Sequence, residues 1–322
     1  MGSAESWDRE LEERASPSPL LQSWAWGEVQ SRAGWTVERV RLDTGAMASV
    51  HVRRVGPVRE AYVPRGPVPA TREAIEELVA WARGRRFARL RVEPEAPAEF
   101  AVVLRGLGFA EAESTQPANT RIVPLGDSAG VLAAVDRGTR YNIRLAERRG
   151  VVVEEGSEAD VLADQSAAVE ERSAISLPRG GYYKLLLSLL PWCRTYVARH
   201  PETNEALSAV LVARHAGRGY NLFAGRSGAH SDLKSNELAH WRAVSGCAAA
   251  GLVDYDLWGV PPAGAGVDHP WHGIGDFKAG FGGRAVNFAG AWQLVLSETG
   301  SRLIALEKTA RRGIRSLKRN IS

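Results

Sequence analysis

The sequence predicts a mixed α/β protein built as two tandem copies of one unit, and three observations carry that expectation. One order of elements occurs twice: Tyr62–Gly66, a capped helix from Thr71 and Leu90–Glu93 read strand, helix, strand, and so do Tyr220–Arg226, a helix from Asn236 and Tyr255–Gly259. Each copy follows segments that alternate apolar and polar residues, as an antiparallel meander does. The length of 322 residues accommodates two domains of ordinary size. Finally, 44% hydrophobic and 24% charged residues are a globular composition, and no apolar run approaches the roughly 20 residues that span a bilayer.

Taken in order, a charged lead-in and the Ser16-Pro17-Ser18-Pro19 break precede a short helix that Ser23 caps, with Trp26 and Val29 on its apolar face. Thr36–Leu42, Ala48–Arg53 and Glu60–Val63 follow as half-buried antiparallel strands. Pro64 and Pro67 stop the last of these, because neither can donate to a ladder. Thr71 caps a helix whose stripe is Ile75, Leu78, Val79 and Ala82, and Ala88–Val92 is the next strand. A helix over Pro97–Leu107 and a strand over Thr120–Leu125 end the first unit. The second opens with a helix over Val131–Arg149 that Gly150 stops, then a strand (Val151–Glu154), a helix (Asp160–Glu171) and a helix from Tyr182 to Leu190. Strands at Cys193–Arg199, Leu207–His215 and Gly219–Ala224, the helix Asn236–Ala250 and the strand Val253–Trp258 complete the repeat. Ala285–Leu296 reads as two short strands and Ser301–Asn320 as a basic amphipathic helix.

Several functions are disfavoured at this level. Basic and acidic residues nearly cancel, 41 against 37, so net charge does not mark a nucleic-acid binder, although local patches can still meet phosphates. Met1–Arg14 is charged and has no apolar core, so the protein is expected in the cytoplasm, at most touching a membrane surface. Cys193 and Cys247 stand far apart and read as buried thiols. There is no GxxxxGK[ST] loop, and Gly273-Ile274-Gly275 lacks the third glycine of a dinucleotide fingerprint. His269, His272 and Asp268 have a spacing that a metal could use but no further matched ligand, so no metal is expected. Arg226-Ser227-Gly228-Ala229 matches an acyl-CoA loop only in part.

One stretch stands apart. Gly273–Gly283 sets Phe277, Lys278 and Phe281 among five glycines. A lysine between aromatic rings is a localised cation for a developing negative oxygen, and glycine lets backbone approach a ligand. A glycine-rich hairpin with a solvated lysine is the competing reading. Arg65, Glu93 and Arg179 each sit beside a chain-breaker at the end of an element, where an arginine suits a phosphate or carboxylate or else forms a surface ion pair.

At these residues the chain resembles the Fem family (FemABX) of aminoacyl-tRNA-dependent peptidyltransferases, which build side-chain bridges on peptidoglycan precursors. The motifs that carry the resemblance are Gln22-Ser23-Trp24-x-Trp26-Gly27, Tyr62-Val63-Pro64-Arg65-Gly66-Pro67, Arg140-Tyr141-Asn142-Ile143-Arg144-x-Ala146, Asp254-Tyr255-Asp256-x-Trp258-Gly259 and Phe277-Lys278-x-Gly280-Phe281-Gly282-Gly283. The resemblance implies an α/β (α+β) fold of two tandem GNAT-like acyltransferase domains with mixed sheets. It places the first at residues 1–125, completed by 290–322, and the second at 126–289.

It further implies an aminoacyl-tRNA donor, an acceptor that is a UDP-MurNAc-pentapeptide or a lipid-linked muramyl peptide, no cofactor, and a monomer. By position, Phe277 and Lys278 are implied at the donor ester, Arg179 and Tyr183 at the acceptor's phosphates, and Glu93, Arg65 and Trp258 in the substrate clefts. Gln30 stands where relatives often carry a lysine, and Arg32 is the candidate to replace it. The basic helix, with Arg140, Arg144 and Arg148, and the tail from Arg311 to Arg319 are candidate tRNA contacts, against the plain alternative of solvated faces. The chain lacks the coiled-coil arm of longer members. Two other acceptor or donor classes stay open: a peptide natural product as acceptor, and acyl-CoA as donor.

Overall fold

The computed structural model describes residues 3–172 and 180–319. Their contacts divide the chain into two units, Met1–Ala118 with Phe288–Ser322, and Asn119–Asn287.

In the first unit, α1 (Ala4–Arg14) and α2 (Trp24–Arg32) precede the strands β1 (Thr36–Arg41), β2 (Met47–Val55) and β3 (Val58–Pro64). Ser23 caps α2 by accepting from Trp26 N at 3.2 Å, as its position before the apolar face leads one to expect. The three strands form an antiparallel meander. α3 (Arg72–Gly84) follows with Thr71 as its cap, and β4 (Arg89–Glu93) then lies parallel to β3. α4 (Ala101–Gly106) and the two-residue β5 (Ala110–Glu111) follow. The apolar stripe of α3 packs on Val50, Val52, Ala61, Val63, Leu90 and Val92, the inward residues of alternating strands.

The second unit opens with β6 (Asn119–Pro124), α5 (Ser128–Ala134) and α6 (Arg137–Arg148). The single helix expected over Val131–Arg149 is two, because Asp136 turns outward and caps α6, accepting from Thr139 N at 2.9 Å. Next come β7 (Val152–Gly156), α7 (Ala159–Arg172), α8 (Gly180–Leu189) and the meander β8 (Cys193–Arg199), β9 (Ala206–His215) and β10 (Arg218–Arg226). α9 (Ser235–Ala249) crosses over to β11 (Asp254–Gly259), which pairs parallel with β10. α10 (His272–Ala279) and β12 (Arg284–Asn287) close the unit. The chain then supplies β13 (Trp292–Val295) and α11 (Glu298–Arg319) to the first unit.

The first sheet has the order β1-β2-β3-β4-β13-β5 and the second β12-β6-β11-β10-β9-β8-β7. Both are mixed, with one parallel pair in each, and each parallel pair is joined by a helix after an antiparallel meander. That is the repeat seen in the order of sequence elements. One strand changes place: Thr120–Leu125, expected to end the first unit, pairs with β11 and β12 in the second sheet. Cys193 and Cys247 are buried free thiols. Among the described residues no helix is long and apolar enough to cross a membrane.

Candidate active site

The two units differ where their parallel strands meet. In the first, β3 and β4 pair along their whole overlap, from Glu60 with Arg89 to Pro64 with Glu93, and Arg65 N extends the ladder to Glu93 O at 2.7 Å. In the second, β10 and β11 pair only from Arg218–Tyr220 to Asp254–Asp256, although β10 continues to Arg226 and β11 to Gly259. Both strands are distorted just beyond the last pair. β10 carries an extra residue, Leu222, between the partners of Val212 and Leu211 on β9. β11 loses register with β6 between Asp256 and Gly259, and Trp258 there has φ +60°. Bulges bend strands and often flank active sites. Here they leave a wedge between β10 and β11.

The wedge is furnished by polar groups with defined partners. Asp256 is buried, and its carboxylate accepts from Trp258 N at 2.7 Å and from the Thr120 hydroxyl, which holds the left-handed turn of the strand in place. Beyond it, Gly259 O accepts from Lys278 Nζ at 2.7 Å. Lys278 lies in the last turn of α10, between Phe277 and the buried Phe281, whose rings are 5.4 Å apart. His240 of α9 completes the wall, edge-on to Phe277 at 4.9 Å and 5.9 Å from Phe281.

Burial sets the charges. Desolvation pulls the Lys278 ammonium down to about 8, against the opposing pull of the Asp256 carboxylate. Desolvation also holds His240 down at about 4, in spite of its bond to Asn236 O, and the Lys278 charge acts in the same direction. His240 is therefore neutral at pH 7. Its Nδ1–H donates to Asn236 O at 2.9 Å, which leaves the lone pair on Nε2. The site thus presents one cation in an apolar wall at the open end of a split sheet. Such a cation can stabilise an oxyanion that forms beside it.

The glycine-rich stretch is a helix and a turn, not a hairpin, and its last three glycines serve packing within the protein. Gly282 and Gly283 have φ +80° and +70°, and a Cβ on either would run into the backbone of Ala134 or Ile122. Gly280 lies against Thr139 and Asp136, so a side chain there would displace the cap of α6. At Gly282 and Gly283 the close neighbour is backbone, and at Gly280 it is the capping pair Asp136 and Thr139. The motif fixes Lys278 by packing its own turn tightly.

Other residues singled out from the sequence have different surroundings. Glu93 is buried and accepts from Thr115 N at 2.8 Å, Gln116 N at 2.7 Å and Arg91 at 2.9 Å, so its carboxylate orders the 115–116 backbone. Arg65 is also buried, donates to Pro117 O at 2.7 Å and stacks over Phe288. These two strand-end charges hold the first unit's own loops. Tyr183 is fully buried, donates to Ser166 Oγ at 3.0 Å and packs edge-on against Phe223, and burial pushes its phenol up to about 12. A phosphate contact does not fit that position. Arg179 lies outside the described residues.

On α2, Gln30 is half-buried and Arg32 is exposed in the last turn. Arg140 donates to Ala133 O at 2.7 Å and to Val135 O, bracing the turn between α5 and α6. Arg144 and Arg148 are exposed on the same helix. Trp258 packs edge-on to Tyr220 at 5.9 Å across the point where the strands part. His269 Nδ1 accepts from Trp271 N, and among the described residues no group of three ligands is arranged for a metal.

Sequence reasoning did not single out His240. The signal that could have found it is its place in the stripe His240, Val244, Cys247, where a histidine replaces an apolar residue on the buried face of α9.

The description of an acetyltransferase (GNAT) domain matches residues 134–272, inside the second unit and short of Lys278. No curated protein matches the chain. Among solved structures, FemX is similar over 94% of this chain and 98% of its own, with a TM-score of 0.81 at 18% identity. A tandem GNAT protein from the clavulanic acid biosynthesis pathway is similar over 91% and 96%, with a TM-score of 0.54 at 13% identity. A C-terminal domain from Agrobacterium fabrum named for lysylphosphatidylglycerol synthetase is similar over 95% and 96%, with a TM-score of 0.56 at 14% identity. The chain has the tandem GNAT fold that FemX also has.

Proposed function

We propose that the protein is an aminoacyltransferase that moves an aminoacyl group from aminoacyl-tRNA to the side-chain amine of a peptidoglycan-precursor stem peptide. The observation that carries this reading is the split β10–β11 pair with the Lys278 ammonium at its open end. The likeness to FemX over nearly the whole of both chains supports it.

The donor ester is already activated, so no covalent enzyme intermediate is needed. The neutral amine attacks the ester carbonyl, the carbonyl oxygen becomes an oxyanion beside Lys278, and collapse expels the ribose oxygen, which takes up the proton that the amine loses. Phe277 and Phe281 keep water from the cation, which strengthens its effect on the oxyanion. Arg144 and Arg148 are assigned to the tRNA backbone, and Gln30 with Arg32 to the acceptor. The protein acts in the cytoplasm as a monomer, without metal or cofactor.

The test uses purified protein, tRNA charged with labelled glycine, alanine or serine, and muramyl pentapeptides bearing lysine, ornithine or diaminopimelate, UDP-linked and then lipid-linked. Label moving to one acceptor establishes the reaction. If none accepts, the reading fails, with a peptide natural product the next acceptor to try. The matched GNAT domain favours one second reading, a CoA-dependent N-acyltransferase. Saturable binding of acetyl-CoA, together with no transfer from charged tRNA, would establish that reading instead.

A further inference from the structure

Asn221 occupies a position that its own fold does not explain. It is the first residue of β10 past Tyr220, the last to pair with β11, and it precedes the extra residue of the bulge. Its side chain is 4% exposed, and its Oδ1 has no hydrogen-bond partner among the described residues. A buried amide oxygen without a donor costs folding stability, and a leucine of similar shape would avoid the cost. A buried polar group without a partner calls for an explanation that its own fold does not supply.

Register places this amide at the closed end of the wedge, on the side that α9 covers. A Cβ added at Gly219, two residues earlier on the same face, would meet Cys247 of α9. The strand partner of Asn221 is Val212, which belongs to the core with Val244 and Cys247. α9 runs back along β10, so its stripe Cys247, Val244, His240 advances toward the open end of the wedge. Seven helical residues cover about 10 Å, as three strand residues do. His240 and the Lys278–Gly259 contact therefore stand about one or two strand residues beyond Asn221. Asp256 is on the other face, since Tyr255 and Leu257 on either side of it are in the α9-side core.

A ligand whose carbonyl oxygen meets Lys278 extends its next atoms toward Asn221. For an aminoacyl ester, the group one carbon away from the carbonyl is the α-amine, an N–H donor. We propose that Asn221 is a specificity-determining residue that accepts a hydrogen bond from the α-amino group of the transferred residue and so separates aminoacyl donors from plain acyl donors that lack an α-nitrogen. This rests on the aminoacyl-transfer reading and adds the feature by which the donor is chosen.

The test measures calorimetric binding of a non-hydrolysable 3′-amide analogue of aminoacyl-adenosine, with its α-amine present or replaced by hydrogen, to the wild type and to Asn221→Leu. The wild type should favour the analogue with the amine about tenfold to a hundredfold, because removing the amine leaves the buried amide oxygen unpaired. Asn221→Leu should bind the two analogues within about twofold and should melt at or above the wild-type temperature. Asn221→Asp should widen the preference, since a carboxylate pairs more strongly with an ammonium. Asn221→Ser replaces Asn221→Leu if the latter does not fold. Wild-type preference retained in Asn221→Leu overturns the proposal, as does a wild type that binds both analogues alike. Transfer from charged tRNA by the wild type is measured alongside. With transfer present and discrimination unchanged, only the role of Asn221 falls; with neither transfer nor analogue binding, the reading of function falls with it.

Discussion

Lys278 can stabilise an oxyanion only while it carries its proton, and the site makes that proton easier to lose. Its ammonium titrates at about 8 where an ordinary lysine titrates at 10.5. Between those values the unfolded chain binds the proton and the folded chain does not, so this group's contribution to stability rises with pH. Transfer should move the opposite way, with kcat falling as pH rises through about 8. Lys278→Arg should carry that limb to higher pH, because guanidinium stays charged. Lys278→Met should lower kcat about a hundredfold to a thousandfold with an unchanged circular dichroism spectrum. A methionine variant that turns over at the wild-type rate would remove Lys278 from the chemistry. His240, neutral and fixed through Nδ1, does not compete for that charge.

At the scale of elements, the turn after α10 holds the lysine, and at Gly282 and Gly283 it has no room for a side chain. Gly283→Ala would force a left-handed φ on alanine and press its Cβ into the Ile122 carbonyl. It should destabilise the protein by about 1–3 kcal/mol, read from urea unfolding. The repeat was legible in the sequence because alternation and capped stripes are local signals, as Thr71 and the stripe Ile75, Leu78, Val79 and Ala82 illustrate. α10 was not legible: Gly273 and Gly275 argue against a helix, and only packing of the formed turn decides the matter. The unit to which β6 belongs was equally hidden, since it depends on pairing with β11, more than a hundred residues away. Arg65 and Glu93 were recognisable as special strand-end positions. Their partners, the 115–117 backbone, could not be read from spacing. His240 left a trace in the buried stripe of α9, whereas Asn221, a lone asparagine inside a strand, left none and emerged only from the structure.

For the whole molecule, the proposed function puts the donor in the second unit, where the parallel pair is split and not closed. A bound aminoacyl-adenosine analogue should slow amide exchange in 221–226 and 257–259 and leave 60–65 unchanged. Protection confined to the β3–β4 pair would reverse the assignment. Charge gives a second expectation, because Arg144 and Arg148 are exposed on one helix while Arg140 is bound to backbone. Replacing both exposed residues by glutamine should weaken tRNA binding and reduce the slope of log affinity against log salt by about 1 to 2. An unchanged slope would return α6 to the status of a solvated face.

The interrupted first unit has a consequence for synthesis. β13 lies between β4 and β5, yet it is encoded after the entire second unit. On the ribosome, the continuous stretch Asn119–Asn287 can complete its sheet while the edge of β4 still waits for Trp292–Val295. The nascent chain therefore carries an open strand edge for about 200 residues of elongation, or roughly 10 to 40 seconds at ordinary rates. Such an edge invites pairing with other chains, so the late segment governs yield during expression as well as stability afterwards.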